Sequence, residues 1–202
     1  MSDSLITKNA IAASIKELMR KKPLEKISVS DIMQNSKINR QTFYYHFKDK
    51  YDLVDWIYYN EVVSALTQHR TFKEWDEVVL EVLKTMKREQ YFYTNALSVT
   101  GQNAFQDYFF KVTKGLLEEI IDVLSQGQID GADKDFIADF YSFGLVGIVV
   151  QWARGGMKQP PEEIVRRLTH FVNDSKYNSA ARYLKEHEEE EIDTPVFKSD
   201  FD

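Results

Sequence analysis

Apolar residues recur at helical spacing along almost the whole chain, and this pattern constrains the fold more than any other feature. In one instance Ile11, Ile15, Leu18 and Met19 share one face of a helix that we expect to end near Lys22. Only four prolines and eight glycines interrupt the 202 residues, and no segment alternates apolar and polar residues as a strand does. The sequence therefore predicts an all-α protein.

The composition favours a folded chain, because 43% of the residues are apolar and 13% are aromatic. The chain has no cysteine, which excludes disulfides and thiolate metal sites. Residues 1–10 lack the basic start and apolar run of a signal peptide, and the longest apolar stretch, 143–150, is too short to cross a bilayer. We therefore expect a soluble cytoplasmic protein without a membrane partner.

The charge is distributed unevenly. Residues 1–55 contain ten Lys or Arg and seven Asp or Glu, whereas the rest of the chain contains sixteen and twenty-five. Eight of those acids lie in residues 186–202, which we interpret as a solvated acidic tail without fixed structure, the alternative being a segment that repels DNA or binds a partner. A mildly basic start on an acidic body is compatible with DNA binding, since phosphate attraction is screened within about 10 Å.

Two short helices are expected between residues 28 and 47. Ser28 with Asp31 three residues later has the form of a capping box for the first helix, and Asn39 can cap the second, over residues 40–47. The connection, residues 36–39, has only about four residues, and so short a connection forces the two helices to cross steeply. This arrangement is typical of a helix-turn-helix.

The remaining helices follow from the same periodicity. We expect a connector helix from Lys50 to about His69, and a break at 70–75. Further helices are predicted at 75–89, 91–97, 103–126, 133–153 and 161–173, with a weaker one at 177–190. The predicted domains are a three-helix DNA-binding unit at 1–50, a helical regulatory and dimerisation unit (a bundle) at 51–185 and the tail at 186–202.

The second short helix has two different faces. Phe43 and Phe47 are four residues apart and can pack on Ile32, Ile38 and Leu53. The outward side then presents hydrogen-bond donors and aromatic edges, and a helix of this width fits the major groove of DNA. The outward residues are Arg40, Gln41, Thr42, Tyr44, Tyr45 and His46. Ordinary surface aromatics are the alternative for the two tyrosines.

The run NRQTFYYHFKDK at 39–50, preceded by ISVSDI at 27–32, resembles the DNA-binding signature of TetR-family transcriptional regulators. The resemblance covers roughly residues 8–57 and implies a homodimer that binds a palindromic operator in double-stranded DNA. Many members of that family have glycine where this chain has Lys37, so the turn is expected to carry some strain.

The resemblance also implies roles for individual residues. Gln41 and Tyr45 correspond to base-edge contacts, and Arg40 to a contact with base or backbone. The implied phosphate contacts are Thr42, Tyr44, His46 and Lys50, with Ser28 and Ser30 holding the first short helix to the DNA backbone.

A broad apolar face on the helices at 133–153 and 161–173 is the predicted dimer interface, since TetR-like subunits pair through their two C-terminal helices. The alternative is that these residues form only intrachain core. The predicted interface residues are Phe136, Phe140, Phe143, Gly144, Gly147, Ile148, Trp152, Ile164, Leu168 and Phe171.

Aromatic residues are dense between 75 and 110, and a helical bundle of this composition can enclose an apolar effector pocket. A plain aromatic core is the alternative. The candidate pocket residues are Trp75, Tyr91, Tyr93, Asn95, Phe105 and Phe109, with Gln102 and Asn103 as further polar groups. The runs YFYTNAL at 91–97, GQNAF at 101–105 and GLVGI at 144–148, followed by Trp152 and the two prolines at 160–161, also resemble regulators related to the dihydroxyacetone kinase operon activator. That resemblance implies control through a partner protein rather than a small ligand. It also points to activation, whereas repression is the more common outcome in the TetR family.

No catalytic constellation is evident. The four histidines, His46, His69, His170 and His187, lie on separate segments without metal-ligand spacing, and no glycine-rich phosphate loop occurs. We therefore expect no enzymatic activity, no metal and no cofactor. The sequence predicts a DNA-binding regulator, and the alternatives are a protein-interaction adaptor or a small-molecule binding protein that does not bind DNA.

Overall fold

A computed structural model describes residues 3–64, 75–99 and 104–172, apart from the side chains of Asp3 and Leu124. Within these residues every regular element is a helix and no strand occurs. The all-α prediction is confirmed.

The N-terminal helices appear in the predicted order. We call residues 3–47 the head and residues 50–63 the connector. The elements are α1 (Asp3–Met19), one 3-10 turn (Leu24–Lys26), α2 (Val29–Ser36), α3 (Arg40–His46) and α4 (Lys50–Tyr58), which continues as a π-helical turn (Tyr59–Val63).

The helices of the body, which we define as residues 75–154, also lie within two residues of their predicted bounds. They are α5 (Trp75–Arg88), α6 (Gln90–Ser98), α7 (Phe105–Ser125) and α8 (Gly131–Arg154), followed by α9 over residues 161–172. Several predictions fall outside the described residues: the end of the connector at His69, the break at 70–74, Gln102, Asn103, the helix at 177–190 and the tail at 186–202.

Side-chain caps set the starts of the short helices. Ser28 Oγ accepts a hydrogen bond from the Asp31 amide at 3.1 Å, and Asp31 Oδ2 accepts one from the Ser28 amide at 2.8 Å. The latter bond, with those from Lys22 and the Ser28 hydroxyl, lowers the pKa of Asp31 to about 2. Asn39 Oδ1 accepts from the Thr42 amide at 2.8 Å. Both predicted caps are confirmed.

The turn between α2 and α3 has the strain expected from its sequence. Lys37 has φ 57° and ψ 29°, the left-handed conformation that glycine adopts without steric cost. Its amide donates to the carbonyl of Met33, which closes the end of α2. The helix-turn-helix therefore keeps its geometry with a lysine where glycine would fit better.

The connector departs from the regular helix that the sequence predicts. It contains a π-helical turn at Tyr59–Val63. Within this turn Asn60 Nδ2 donates to the Trp56 carbonyl at 2.8 Å, and just after it Ser64 Oγ donates to the Asn60 carbonyl at 2.7 Å. Side chains that bond carbonyls four residues back compete with the regular ladder. The segment has no glycine or proline to signal this irregularity in the sequence.

Among the described helices, α8 is long and apolar enough to cross a membrane, judged by length and composition alone. The expectation from the sequence concerned only its longest apolar stretch, 143–150, which is too short to cross a bilayer. In the protomer α8 packs along α7, and Lys114 of α7 forms ion pairs with Asp135 at 2.6 Å and Asp139 at 2.7 Å. One side of α8 is thus packed and salt-bridged within the chain, while the other is exposed.

The described residues up to Pro161 form one compact unit, and residues 162–172 belong to a second. The head and the body lie together in the first unit, where α1 and α4 contact α6 and α7, respectively. The core of the head is built from fully buried side chains of its three helices, Ile11, Ile15, Ile32 and Phe43, together with Leu53 of the connector.

Candidate nucleic-acid interface

The two faces of α3 differ sharply in exposure. Phe43 is 0% exposed and Phe47 lies beside it with ring centroids 5.7 Å apart, so both belong to the core of the head. Tyr45, by contrast, is 83% exposed, and Gln41 one turn before it is also exposed. The structure brings the two predicted base contacts together on one open helix face.

Aromatic side chains beside this face are held by neighbours. The Arg40 guanidinium lies 5.5 Å from the centre of the Tyr44 ring and donates to the Tyr44 hydroxyl at 3.2 Å. The His46 ring packs edge-on against Tyr45 with centroids 4.9 Å apart. These contacts already restrict the rotamers of Tyr44 and Tyr45. The two side chains therefore lose less conformational entropy when the face binds a ligand.

Two of the residues predicted to contact the DNA backbone, Thr42 and Ser28, already form hydrogen bonds within the protein. The Thr42 hydroxyl donates to Asn39 Oδ1 at 2.9 Å, and the Ser28 hydroxyl donates to Asp31 Oδ2 at 2.9 Å. Both hydroxyls therefore support helix starts, although Ser28 stays exposed, as does Ser30. Their contribution to an interface includes holding α2 and α3 in place.

Lys50 differs most from its sequence expectation of a phosphate clamp. Its ammonium group donates to the carbonyls of Leu24 at 2.8 Å, Glu25 at 2.9 Å and Ile27 at 2.8 Å. These three bonds use every N–H of the ammonium group, and burial lowers the pKa of Lys50 below its ordinary value. No sequence pattern indicated this role, because the acceptors are backbone atoms more than twenty residues away.

Two exposed cations near α3 were not assigned from the sequence. Lys37 lies in the turn before the helix and Lys48 follows its end, and both side chains are exposed. Their positions at either end of the recognition face suit contacts with phosphates on both sides of a groove. The signal was present in the sequence, since Lys48 belongs to the motif at 39–50.

Most of the predicted dimer face is open in the protomer. Phe136 is 72% exposed, and Phe140, Phe143, Gly144, Gly147, Ile148 and Phe171 are exposed as well. A Cβ added at Gly144 or Gly147 would meet no atom of the described chain within 4 Å, so packing within the protomer does not require glycine there.

Three residues predicted for that face are buried in the protomer. Trp152 is 6% exposed, and its Nε1 donates to the Gln159 carbonyl at 3.0 Å, so it closes the end of α8 within the chain. Ile164 and Leu168 are also buried in the protomer. The periodicity of α8 could not separate Trp152 from its exposed neighbours, because an interface and a core use the same apolar residue types.

Three of the six candidate pocket residues surround one aromatic side chain of the connector. Tyr93, Phe105 and Phe109 are buried around Tyr58 of the connector, with ring centroids 6.4, 5.3 and 5.5 Å from it. This arrangement is a packed aromatic core, and the Tyr93 hydroxyl is buried in it without a hydrogen-bond partner among the described residues.

The other three differ from these in exposure or in contacts. Trp75 is half-buried, and Tyr91 is exposed with the Arg20 guanidinium 5.9 Å from its ring centre. The Asn95 amide bonds the backbone of the head: Asn95 Oδ1 accepts from the Leu24 amide at 2.7 Å, and Nδ2 donates to the carbonyls of Met19 at 3.1 Å and Lys22 at 3.0 Å. Asn95 thus joins body to head.

Two family models match the chain. Residues 11–57 match the family described as bacterial regulatory proteins, tetR family, and residues 73–174 match a transcriptional regulator C-terminal region. The first match includes α2, α3 and the start of the connector. It therefore covers the exposed face of α3 that carries Gln41 and Tyr45.

Among curated proteins, the HTH-type dhaKLM operon transcriptional activator DhaS of Lactococcus lactis is 35% identical over 121 residues, which are 60% of this chain and 64% of that protein. The uncharacterized HTH-type transcriptional regulator YxbF of Bacillus subtilis is 23% identical over 168 residues, 79% of this chain and 42% of that protein. The chain therefore matches less than two thirds of the length of either relative.

Solved structures share the fold over most of the chain. The dihydroxyacetone kinase operon activator DhaS superposes with a TM-score of 0.65 at 25% identity, covering 85% of this chain and 96% of the other. NalD, the secondary repressor of the MexAB-OprM multidrug efflux pump in Pseudomonas aeruginosa, superposes with a TM-score of 0.59 at 18% identity, covering 83% and 95%.

Proposed function

The chain belongs to the TetR family of bacterial regulatory proteins, and from this we propose that it is a cytoplasmic homodimer that regulates transcription by binding a palindromic operator. One observation carries the proposal: α3 exposes Gln41 and Tyr45 on one face while its two phenylalanines pack inward. A helix with this arrangement can enter the major groove without disturbing the core of the head.

The contacts divide into two groups. Gln41 and Tyr45 read base edges, because both are exposed one turn apart on the same face of α3 and carry donors and acceptors. Arg40, Tyr44, Lys37 and the other exposed polar groups around α3 contact phosphates, which position the head without reading sequence. Lys50 supports the head from within.

Two copies are needed to read a palindrome, and the exposed side of α8 is the surface that pairs them. Phe136, Phe140 and Phe143 recur along one side of the helix, and Gly144 with Gly147 allows a partner helix to approach closely. An apolar face of this kind on a water-soluble regulator is covered by a second copy of the same chain. Pairing places the two heads at a fixed distance, as half-sites require.

Regulation acts through the body. An effector, either a small molecule or a partner protein, alters the distance between the heads by favouring one arrangement of the body over another. DhaS is named an activator and NalD a repressor, so both signs of control occur among the similar proteins. We propose no catalytic activity, since the proteins named above are described as regulators.

The decisive experiment begins with selection of bound sequences from a random duplex pool. Gln41→Ala and Tyr45→Ala are then each expected to weaken binding to the selected operator by about 10- to 100-fold and to relax base preference. Tyr59→Ala, which removes an exposed tyrosine of the connector, is the matched control and is expected to bind normally. Unchanged affinity and selectivity in both α3 variants would contradict the proposal.

A further inference from the structure

The short segment between α1 and α2 is held from two directions at once. We call residues 19–27 the corner. Its backbone lies between α6 of the body and the first residue of the connector, and α2 begins directly after it at Ser28. The side chains of Leu24 and Ile27 in this corner are almost completely buried.

Asn95 holds the corner from the body. Helix α1 ends at Met19, and the amides just after it satisfy the Glu17 and Leu18 carbonyls, whereas the Met19 carbonyl accepts its bond from Asn95. The Asn95 side chain donates to the carbonyls of Met19 and Lys22 and accepts from the Leu24 amide, at 2.7 to 3.1 Å. One amide on α6 therefore satisfies three backbone groups of the head.

Lys50 holds the same corner from the connector. Its ammonium group donates to the carbonyls of Leu24, Glu25 and Ile27. The Leu24 peptide is thus bonded through its amide to the body and through its carbonyl to the connector. A shift of α6 relative to α4 displaces this backbone because the Leu24 amide is bonded to α6 and the Leu24 carbonyl to the first residue of α4.

The displacement reaches the recognition helix through α2. Lys22 of the corner pairs with Asp31 at 3.0 Å, and Asp31 caps the first turn of α2. Helix α2 in turn contacts α3. A movement of the body can therefore be transmitted to α3 through the corner and α2, in addition to any transmission along the connector helix.

We propose that Asn95 and Lys50 are positioning residues that fix the angle of the head to the body through the corner, and so determine which half-site spacing the dimer accepts. This inference rests on the proposed function. It gives Asn95 a role in coupling instead of effector binding, and it gives Lys50 a role that does not involve phosphate.

The test for Asn95 measures the affinity of the full-length dimer for the selected operator and for duplexes whose central spacer is one base pair longer or shorter. Asn95→Ala is expected to reduce the preference for the selected spacer at least about fivefold. Asn95→Asp keeps the acceptor for the Leu24 amide and loses both donated bonds, so it is measured in parallel in case the alanine variant does not fold. Thr94→Val is the control, since it removes a bond from the same helix to the Ala153 carbonyl of α8.

For Lys50, the slope of log affinity against log salt separates the two roles. Lys50→Met is expected to alter spacer preference while keeping the wild-type slope; a phosphate contact would instead lower the slope by about one unit. That lower slope would overturn the assignment of Lys50.

Two further outcomes are distinguishable. An unchanged spacer preference in a folded Asn95 variant would overturn the role of Asn95 and leave the proposed function intact. Failure of the wild-type protein to select any duplex would contradict the proposed function itself and, with it, this inference.

Discussion

The head and the body of this protein are specified by different means. In the head and at the start of the connector, the helices α2, α3 and α4 each begin at a residue whose side chain caps the first turn, namely Ser28, Asn39 and Asp49. In the body, α8 begins with such a cap from Asp130, whereas α6 and α7 begin at Glu89 and Ala104 without one. Local side-chain hydrogen bonds thus set the starts of α2, α3 and α4, whereas α6 and α7 begin without them.

The exposed surfaces differ in the same way. The head exposes Gln41, Tyr44 and Tyr45, which carry hydrogen-bond groups, and buries its phenylalanines. The body exposes Phe136 and Phe140, which have no polar group to offer. A surface of the first kind suits a polar partner such as DNA, and one of the second kind suits another apolar surface. The comparison predicts that equivalent substitutions in the two regions have different consequences.

The largest effect is expected from truncating a phenylalanine in the head. Phe43→Ala removes a fully buried ring and should lower the free energy of unfolding by about 3–5 kcal/mol, because the cavity cannot collapse completely. Phe136→Ala is the counterpart in the body, where the ring is 72% exposed. Chemical denaturation over a range of protein concentrations measures both.

The two variants should respond differently to concentration. The loss in Phe43→Ala is expected at every concentration, since it arises within one chain. The loss in Phe136→Ala should appear only where the dimer forms, because assembly adds stability by mass action. Equal, concentration-independent losses would mean that Phe136 is covered within its own protomer.

How well the sequence predicted each region follows from this difference. The capping box at Ser28 and Asp31 and the cap at Asn39 depend on residues within four positions of one another, so the pattern alone was sufficient, whereas the strain at Lys37 was expected from the resemblance to relatives with glycine there. The inward face of α3 also followed from the four-residue spacing of Phe43 and Phe47.

The roles of Lys50 and Asn95 could not be predicted in this way. Their partners are backbone atoms separated from them by 23 to 76 positions in the chain, and the amide and carbonyl groups of every residue look alike in a sequence. Trp152 was misplaced for a related reason, since its apolar character did not show whether its own chain or a partner covers it. The sequence predicted which elements form but not which long-range contacts join them.

A charge on the exposed side of α8 should have the next largest effect. Phe140→Glu is expected to convert the dimer to a monomer and to weaken operator binding by about 100-fold or more, because a single head loses the advantage of two linked sites. Ile6→Glu places the same charge on an exposed apolar residue of α1 and should leave the protein dimeric. Sedimentation measures the oligomeric state, and a Phe140→Glu protein that stays dimeric would show that the subunits pair elsewhere.

A smaller, pH-dependent effect is expected at Asp55 of the connector. Burial, together with the nearby Asp52 and Asp49, raises the pKa of Asp55 to about 7. Between about pH 4 and pH 7 the folded state therefore binds more protons at this site than the unfolded state, so the contribution of Asp55 to stability is complete below pH 4 and is lost as the pH rises to 7.

Asp55→Asn removes this dependence. Because the side chain is only half-buried, we expect the variant to be more stable than the wild type by about 1 kcal/mol at pH 8, with the difference vanishing near pH 4. Thermal unfolding across this pH range measures it. The matched variant Asp31→Asn should show the opposite sign, since the pKa of Asp31 is lowered and its ionised form supports the head. A constant difference at all pH values would contradict the assignment for Asp55.

The smallest effect is expected from two glycine substitutions, one in each region, which should change stability equally but DNA binding differently. Lys37 in the head and Gln126 in the body both have left-handed backbone, with φ 57° and 53°, at the end of a helix. Glycine relieves the strain at either position but adds freedom to the unfolded chain, so Lys37→Gly and Gln126→Gly should each stabilise the protein by about 0.5 kcal/mol. Only Lys37→Gly removes a cation beside α3, and it alone should lower the salt dependence of operator binding by about one unit of slope. An equal salt slope in both variants would show that Lys37 does not contact DNA phosphates. The expectation that its backbone is strained would not be affected.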